Sequence, residues 1–204
     1  MKTMIIITGL FLSGQMYAQS LWQRAQYAEV GLFMHSFGVP FIGGDFLSFN
    51  QLPGVSLGAS IPLKTRGRWQ TDYRFRLSGY MAEGLHQGIH LDNQLVESYR
   101  IGDRFRVEGQ AGLGYLHSFE DAALFVPGPN GYKPKRDWGR PQITLSIGLG
   151  FSFRMGKDSP YWFFAEQQFM IQLPFASKSG VPMLMHNRHY LGVRREINRK
   201  FRLQ

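Results

Sequence analysis

The sequence contains no cysteine among its 204 residues. This absence excludes a disulfide framework, a thiolate metal site and a lipidated N-terminal cysteine. The chain also lacks an apolar run of the roughly 18 residues that a membrane-spanning helix needs, and its mean hydropathy is −0.22. It is rich instead in glycine (24 residues) and in aromatic residues (15%). This composition is typical of strands joined by tight turns.

The N-terminus has the pattern of a secretory signal. Lys2 supplies a positive charge, residues 4–12 are apolar, and Ala18 ends a cleavage site. We therefore predict a signal peptide at residues 1–18 and one domain at 19–204; a buried first strand or helix is the alternative. Export argues against nucleic acid as the partner of a chain with a pI near 10.0. The acidic partners to consider are lipopolysaccharide phosphates, acidic glycans and carboxylates inside the protein itself.

Apolar and polar residues alternate along most of the remaining chain. The stretch RWQTDYRFRLSG at 68–79 shows the pattern most clearly, since an aromatic and aliphatic face opposes one with an aspartate and two arginines. Such alternation predicts half-buried strands. It recurs in eight runs, at 27–36, 55–61, 68–79, 89–98, 104–116, 143–155, 161–173 and 188–197.

The connections between these runs alternate in length. Short ones lie at 64–68, 101–103 and 156–160, and longer ones at 37–51, 82–88, 118–141 and 174–187. Together with the export signal, this favours an all-β, antiparallel, up-and-down transmembrane β-barrel of about eight strands. Short turns would then face the periplasm, longer loops would be extracellular, and the apolar faces would contact lipid. The alternative is a lipocalin-like secreted barrel, with its apolar faces turned inward.

Three segments add a family resemblance. They are GLGYLHSF at 112–119, GRPQITLSIGLGF at 139–151 and VPMLMHNRHYLGV at 181–193. With the signal ending in Ala-Gln, they resemble small eight-stranded outer-membrane β-barrels of the Bacteroidota lineage, a family typified by the transmembrane domain of outer membrane protein A. The resemblance implies an integral protein of the bacterial outer membrane and no particular activity. The chain departs from the family by lacking a terminal aromatic residue.

Charged residues on the polar strand faces predict a cluster in the lumen. Isolated buried charges are costly, so we expect arginines and carboxylates there to pair as a salt-bridged core. An anion path or gated pore is the alternative. The predicted cluster comprises Glu29, Asp72, Arg74, Arg76, Arg104, Arg106, Glu108, Arg154 and Glu166.

Histidines near the outer strand ends form a second candidate. His35, His117 and His186 could meet there as an acid–base or metal cluster, or could each bond to loops. We find no histidine, hydroxyl and acid on one face in the pattern of a hydrolase. We predict no catalytic residue, no metal and no cofactor.

The long connections are unusually apolar, and they either pack on one another or dock a partner. The leading function is a non-enzymatic membrane scaffold or accessory subunit that binds an outer-membrane protein. A narrow channel for small anions is second, and a lipid-modifying enzyme third. Lipopolysaccharide is the expected lipid partner, with the basic segment 133–136 near its phosphates. The docking candidates are Phe37, Phe41, Phe46, Phe125, Met183 and Leu184.

Overall fold

The computed structural model describes residues 25–37, 52–82, 86–120, 124–128, 131–135, 138–174 and 183–197. These residues form ten strands. They are β1 (Tyr27–Phe37), β2 (Leu52–Arg66), β3 (Trp69–Ala82), β4 (His86–Ile101), β5 (Phe105–Glu120), β6 (Leu124–Gly128), β7 (Gly131–Lys135), β8 (Arg140–Arg154), β9 (Tyr161–Leu173) and β10 (Leu184–Glu196). No helix in this part of the chain is long and apolar enough to cross a membrane.

Eight of the strands close into an antiparallel barrel in the order β1-β10-β9-β8-β5-β4-β3-β2. The seam pairs β1 with β10, from Tyr27 opposite Glu196 to Phe37 opposite His186. The remaining strands, β6 and β7, form a hairpin within the long connection between β5 and β8. The predicted eight-stranded up-and-down barrel is therefore confirmed.

The alternation of the sequence separates lumen from exterior. On β8, for instance, Ile143, Leu145 and Ile147 are exposed, whereas Thr144 is fully buried. Charged and polar side chains fill the lumen, and large apolar ones cover the outside. This is the inverse of a water-soluble barrel and matches a barrel surrounded by lipid.

Aromatic side chains gather outside one end of the barrel. Trp69 contacts Tyr99, and Phe105 contacts Phe153, with ring centroids 4.9 Å apart in both pairs. The short turns and the described ends of the chain lie at this same end, where the Ile197 amide donates to the Gln26 carbonyl. An aromatic girdle of this kind marks a membrane–water interface, here the periplasmic one.

The strands extend beyond the alternating runs. β2 and β4 span 15 and 16 residues, because pairing continues where side chains leave the apolar belt and alternation fades. One predicted loop is consequently too long: between β3 and β4 only residues 83–85 remain.

At the periplasmic end, Gly67 (φ 60°) and Gly102 (φ 66°) adopt the left-handed conformation that tight turns need. The predicted signal at 1–18 lies outside the described residues.

Candidate functional site in the barrel lumen

Six charged side chains cross the middle of the lumen. Glu29, Glu108 and Glu166 alternate with Arg74, Arg76 and Arg194, and we call this set the middle layer. All six side chains project inward, because each occupies a strand position that the alternation of side chains places on the lumen face. Each side chain is at most 7% exposed. The set carries three positive and three negative charges and is neutral as a whole.

Arg74 and Arg76 share the carboxylates of the middle layer. Arg74 lies 2.8 Å from Glu108 and 2.7 Å from Glu166, and its Nε lies 3.6 Å from Glu29. Arg76 lies 2.8 Å from Glu29 and 2.7 Å from Glu166. Each of these arginines therefore neutralises more than one carboxylate.

Arg194 completes the layer from the last strand. It lies 2.9 Å from Glu29 and 2.5 Å from Glu108, and it donates a further hydrogen bond to Glu166. The Ser152 hydroxyl also donates to Glu108, at 2.9 Å. Removing one member of such a buried network leaves an uncompensated charge and costs about 3–5 kcal/mol. The layer thus closes the lumen and also ties β1, β3, β5, β9 and β10 together.

Below the middle layer, cations stack on a tryptophan. Trp162 is 2% exposed, and the guanidinium carbons of Arg106 and Arg154 lie 4.0 and 4.6 Å from its ring centroid. Arg106 donates to the Tyr27 hydroxyl at 2.7 Å, and Arg154 lies 3.1 Å from Glu196. We call these five residues the periplasmic layer. Stacking lets them fill the lower lumen while their charges remain near the periplasmic mouth.

Above the middle layer, one carboxylate is bound by neutral donors. Asp92 is 1% exposed and accepts hydrogen bonds from Gln94 at 2.8 Å, Gln168 at 2.6 Å and Ser146 at 3.3 Å. No arginine or lysine nitrogen of the described residues lies within 4.0 Å of it. These donors satisfy the carboxylate without a counterion.

The outer lumen holds an arginine among rings. Arg188 is fully buried, and its Nη1 donates to His90 Nδ1 at 2.9 Å. Its guanidinium carbon lies 5.4 Å from the Phe33 ring and 5.5 Å from the Tyr80 ring. Together with Thr144 and Tyr190, we call these residues the outer layer.

The contacts of His90 fix its proton. Because Nδ1 accepts from Arg188, the ring hydrogen resides on Nε2, which then donates to the Thr144 hydroxyl oxygen at 2.8 Å. An imidazole in this tautomer cannot take the proton of Thr144, and its partner is a cation rather than an orienting acid. The pair therefore lacks the arrangement of a hydroxyl nucleophile and its base.

Two of the three predicted rim histidines meet. His35 Nε2 lies 2.6 Å from His186 Nδ1, and His186 Nε2 lies 2.6 Å from the Gln172 amide oxygen. His117 faces the exterior, where it bonds to Tyr115 and to the Trp138 carbonyl. Of the two alternatives, a cluster of all three histidines is therefore not formed. Among the described residues, no group of three histidine, aspartate or glutamate side chains could hold a metal ion.

The structure brings five of the nine predicted lumen charges together, and places the others elsewhere. Glu29, Arg74, Arg76, Glu108 and Glu166 share the middle layer. Arg106 and Arg154 occupy the periplasmic layer, and Asp72 accepts from Gln70 at 2.7 Å. Arg104 is wrongly predicted, because the β4–β5 turn includes it and leaves it exposed.

Sequence reasoning missed several lumen charges. Arg194 is central to the middle layer, Glu196 binds Arg154, and Asp92 and Arg188 are both buried. Their inward position follows from the strand period, which places them on the polar faces of β4 and β10. Alternation therefore indicates that these side chains point inward, but it does not predict which of them contact one another.

Glycines make room for these polar side chains. A Cβ at Gly112 would approach Asp92, one at Gly150 would approach Glu166, and one at Gly148 would approach Gln110. At Gly54, the neighbouring group is the ring of Phe33, which belongs to the outer layer. The small residues of the lumen therefore make space for charged and amide groups.

The structure describes four of the six predicted docking residues. Phe41 and Phe46 lie outside the described residues; Phe37 ends β1, and Phe125 lies in β6. Met183 is 44% exposed. Leu184 was predicted in a loop but begins β10, where it is half-buried.

Comparison with known proteins supports the architecture. Neisserial surface protein A superposes with a TM-score of 0.58 at 10% identity, and the alignment covers 84% of this chain and 96% of that one. The fold is that of an outer-membrane β-barrel. The N-terminal barrel of Pseudomonas aeruginosa OprF aligns at 13% identity, with 83% and 98% coverage and a TM-score of 0.49. Yersinia pestis Ail, the attachment invasion locus protein, aligns at 12% identity, with 83% and 97% coverage and a TM-score of 0.48.

The sequence itself matches no protein-family model, and no curated protein matches it. The likeness therefore concerns the fold. The apolar exterior, the charged lumen and this fold together indicate an integral protein of the bacterial outer membrane.

Proposed function

We propose that this chain is a non-enzymatic, non-conducting outer-membrane barrel that acts as a scaffold or accessory subunit through its extracellular segments. One observation carries the proposal: the middle layer closes the lumen with a neutral network of arginine and glutamate. Eight strands enclose an interior that side chains can fill. Here they fill it with groups whose mutual contacts hold them in place.

The closed lumen weighs against a channel for small anions. An ion crossing the middle layer would have to separate Arg74, Arg76 or Arg194 from carboxylates within 3 Å of them. Separating buried charges is strongly unfavourable. The lumen therefore supports the barrel mechanically and leaves the extracellular face as the working surface.

The histidine contacts weigh against a lipid-modifying enzyme. His90 donates to Thr144 and accepts from a cation, and His35 with His186 forms a chain that ends on an amide oxygen. Neither arrangement supplies a base for a nucleophile. Acid–base chemistry of the hydrolase kind therefore has no support in the described lumen.

The extracellular connections supply the interaction surface of this proposal. Residues 37–51 include Phe37, Phe41 and Phe46, whose apolar side chains are unfavourable to expose to water. We propose that they contact an outer-membrane protein, and that the basic segment 133–136 lies near lipopolysaccharide phosphates. Apolar side chains would provide affinity, and the basic segment would orient the loops relative to the membrane surface.

The test is affinity purification from native outer membranes in a mild detergent. The proposal predicts a stoichiometric protein partner that the wild-type barrel retains and a Phe41→Ser/Phe46→Ser variant loses. The matched control is Asp103→Ser, in the periplasmic β4–β5 turn, which should retain the partner. A barrel that carries lipid alone in all three forms would contradict the proposal.

A further inference from the structure

A small cavity opens at the periplasmic mouth of the lumen, beside the periplasmic layer. Its volume is about 160 Å³, and it is lined by Arg100, Asp103, Arg154, Lys157 and Trp162. A pocket that takes a whole drug-sized molecule usually measures about 300–1,000 Å³. This cavity therefore has space for one small charged group and its immediate neighbours, and not for a large ligand.

Arg100 lines this cavity without a carboxylate partner. It occupies a lumen-facing position near the end of β4 and is half-buried. Its guanidinium forms no hydrogen bond or ion pair with another side chain of the described residues. Arg106 lies directly opposite it on β5, and like charges at facing positions of a strand pair repel each other. The periplasmic end of this strand pair therefore carries positive charge that no described carboxylate contacts.

The β8–β9 turn brings a second cation to the cavity. Arg154 Nη1 donates to the Lys157 carbonyl oxygen at 3.1 Å, and Arg154 Nη2 lies 3.1 Å from Glu196. The charge of Arg154 is thus balanced within the periplasmic layer. Lys157 is exposed, and within the described ranges no carboxylate oxygen lies within 4.0 Å of its ammonium group. Asp158, in the same turn, does not line the cavity.

The groups that line the cavity leave one positive charge in excess. Arg100 and Lys157 are positive, Asp103 is negative, and Glu196 balances Arg154. Asp103 is exposed in the β4–β5 turn and forms no ion pair with a described cation. A ligand with one negative charge neutralises this excess. A dianion is less favourable, because its second charge would be repelled by Asp103 without compensation.

We propose that this cavity binds the carboxylate group of a molecule in the periplasm, with Arg100 and Lys157 as its binding residues. The planar guanidinium of an arginine matches the two oxygens of a carboxylate, and the lysine ammonium supplies a further donor from the other turn. The Trp162 ring forms an apolar wall beside the bound group. The site lies at the opposite end of the barrel from the extracellular segments and is independent of the proposed scaffold function.

Amide NMR of the isotope-labelled wild-type barrel in phosphatidylcholine nanodiscs tests the site. The probe is N-acetylglycine, a monocarboxylate that replaces chloride at constant ionic strength, and its neutral analogue is N-acetylglycinamide. We expect the acid to cause saturable shifts of the Gly102 and Gly156 amide signals, which report on the two turns at the cavity. The neutral amide should cause none. Equal responses to the two compounds, or no saturable response to the acid, would overturn the proposal.

Charge-removing variants show whether the named residues bind the probe. Arg100→Gln should weaken the binding of N-acetylglycine about tenfold, the loss of one charge-assisted hydrogen bond. Lys157→Gln, at an exposed position that folding tolerates, should weaken it about threefold. Heat-modifiable migration on a gel verifies that each variant is folded.

Arg66→Gln is the matched control for these variants. It removes an exposed arginine at the same end of the barrel, where Arg66 pairs with Trp69 on the outer face of the wall. N-acetylglycine should bind this variant as it binds the wild type. Unchanged binding in Arg100→Gln, or an equal loss in Arg66→Gln, would contradict a specific site in the cavity.

Two further probes distinguish the sources of the carboxylate. Acetate that saturates the same amide signals at about the same concentration as N-acetylglycine supports the site and identifies free small acids as the ligand. Binding of N-acetylglycine that is about tenfold tighter than that of acetate supports the site and identifies the carboxyl end of a peptide. Inorganic phosphate that binds more tightly than both would overturn the preference for a monoanion.

Discussion

The middle and outer layers bury arginines in different surroundings. In the middle layer, Arg74, Arg76 and Arg194 share three glutamates, and the contacts connect strands on opposite sides of the barrel. In the outer layer, Arg188 meets rings and a histidine. The amino acid, the depth of burial and the fold are the same. What differs is the number of carboxylate acceptors among the described residues, and this decides whether the charge links strands across the barrel.

Breaking the middle layer should have the largest effect. Glu166→Gln removes a carboxylate that contacts all three arginines and leaves a net positive charge in the lumen. We expect the free energy of unfolding to fall by about 3–5 kcal/mol, measured by urea unfolding in vesicles. Glu97→Gln, on the exposed exterior of β4, is the control and should change it by less than about 1 kcal/mol. Equal effects of the two substitutions would refute the network.

The backbone between the two layers is also sensitive. A Cβ at Gly192 would overlap the Val30 carbonyl and press on the Phe164 ring, which itself lies against Arg194. Gly192→Ala should therefore destabilise the barrel by about 1–3 kcal/mol. Gly109→Ala is the control, because its Cβ would only reach Leu149 at 4.0 Å on the exterior. An unchanged free energy of unfolding in Gly192→Ala would contradict the close packing of β1 against β10.

A double-mutant cycle sharpens the account of the middle layer. Arg76→Gln and Glu166→Gln each break one side of a 2.7 Å contact. The two losses of unfolding free energy should not be additive. The double variant should lose about 0.5–3 kcal/mol less than the sum of the two single losses. Additive losses would show that the two residues act separately.

The outer layer should respond in the opposite way. Arg188→Met removes a buried charge that has no carboxylate contact among the described residues. The free energy of unfolding should stay unchanged or rise by about 1 kcal/mol, because replacing an uncompensated charge with an apolar side chain is neutral or favourable. A loss as large as that of Glu166→Gln would reveal a counter-charge that the described contacts do not include.

The strand period alone predicted the barrel and the inward direction of most charges. It works because a barrel wall has two faces and successive side chains alternate between them. The same rule explains the outcome at two candidate sites. His117 shares the face of Leu113 and Tyr115 on β5, and both of these are exposed, so it could not join His35 and His186. Arg104 lies one residue before the first residue of β5, where the period no longer applies.

Which inward charges meet could not be predicted from alternation. Contacts across the lumen depend on strand tilt and register, which the sequence pattern does not contain. Arg194 illustrates this, because His189 and Arg195 interrupt the apolar face of β10 in the sequence, yet the contacts of Arg194 reach β1, β5 and β9. The outer arginine was missed for the same reason, since only the assembled lumen shows which described side chains surround Arg188.

Current recording across planar lipid bilayers tests the central claim most directly. The wild-type barrel, reconstituted as a single protein in potassium chloride, should produce no unitary current steps above an empty bilayer, because the middle layer closes its lumen. Reproducible steps of constant size from the folded, heat-modifiable wild-type protein would contradict the closed lumen and the non-conducting function that rests on it.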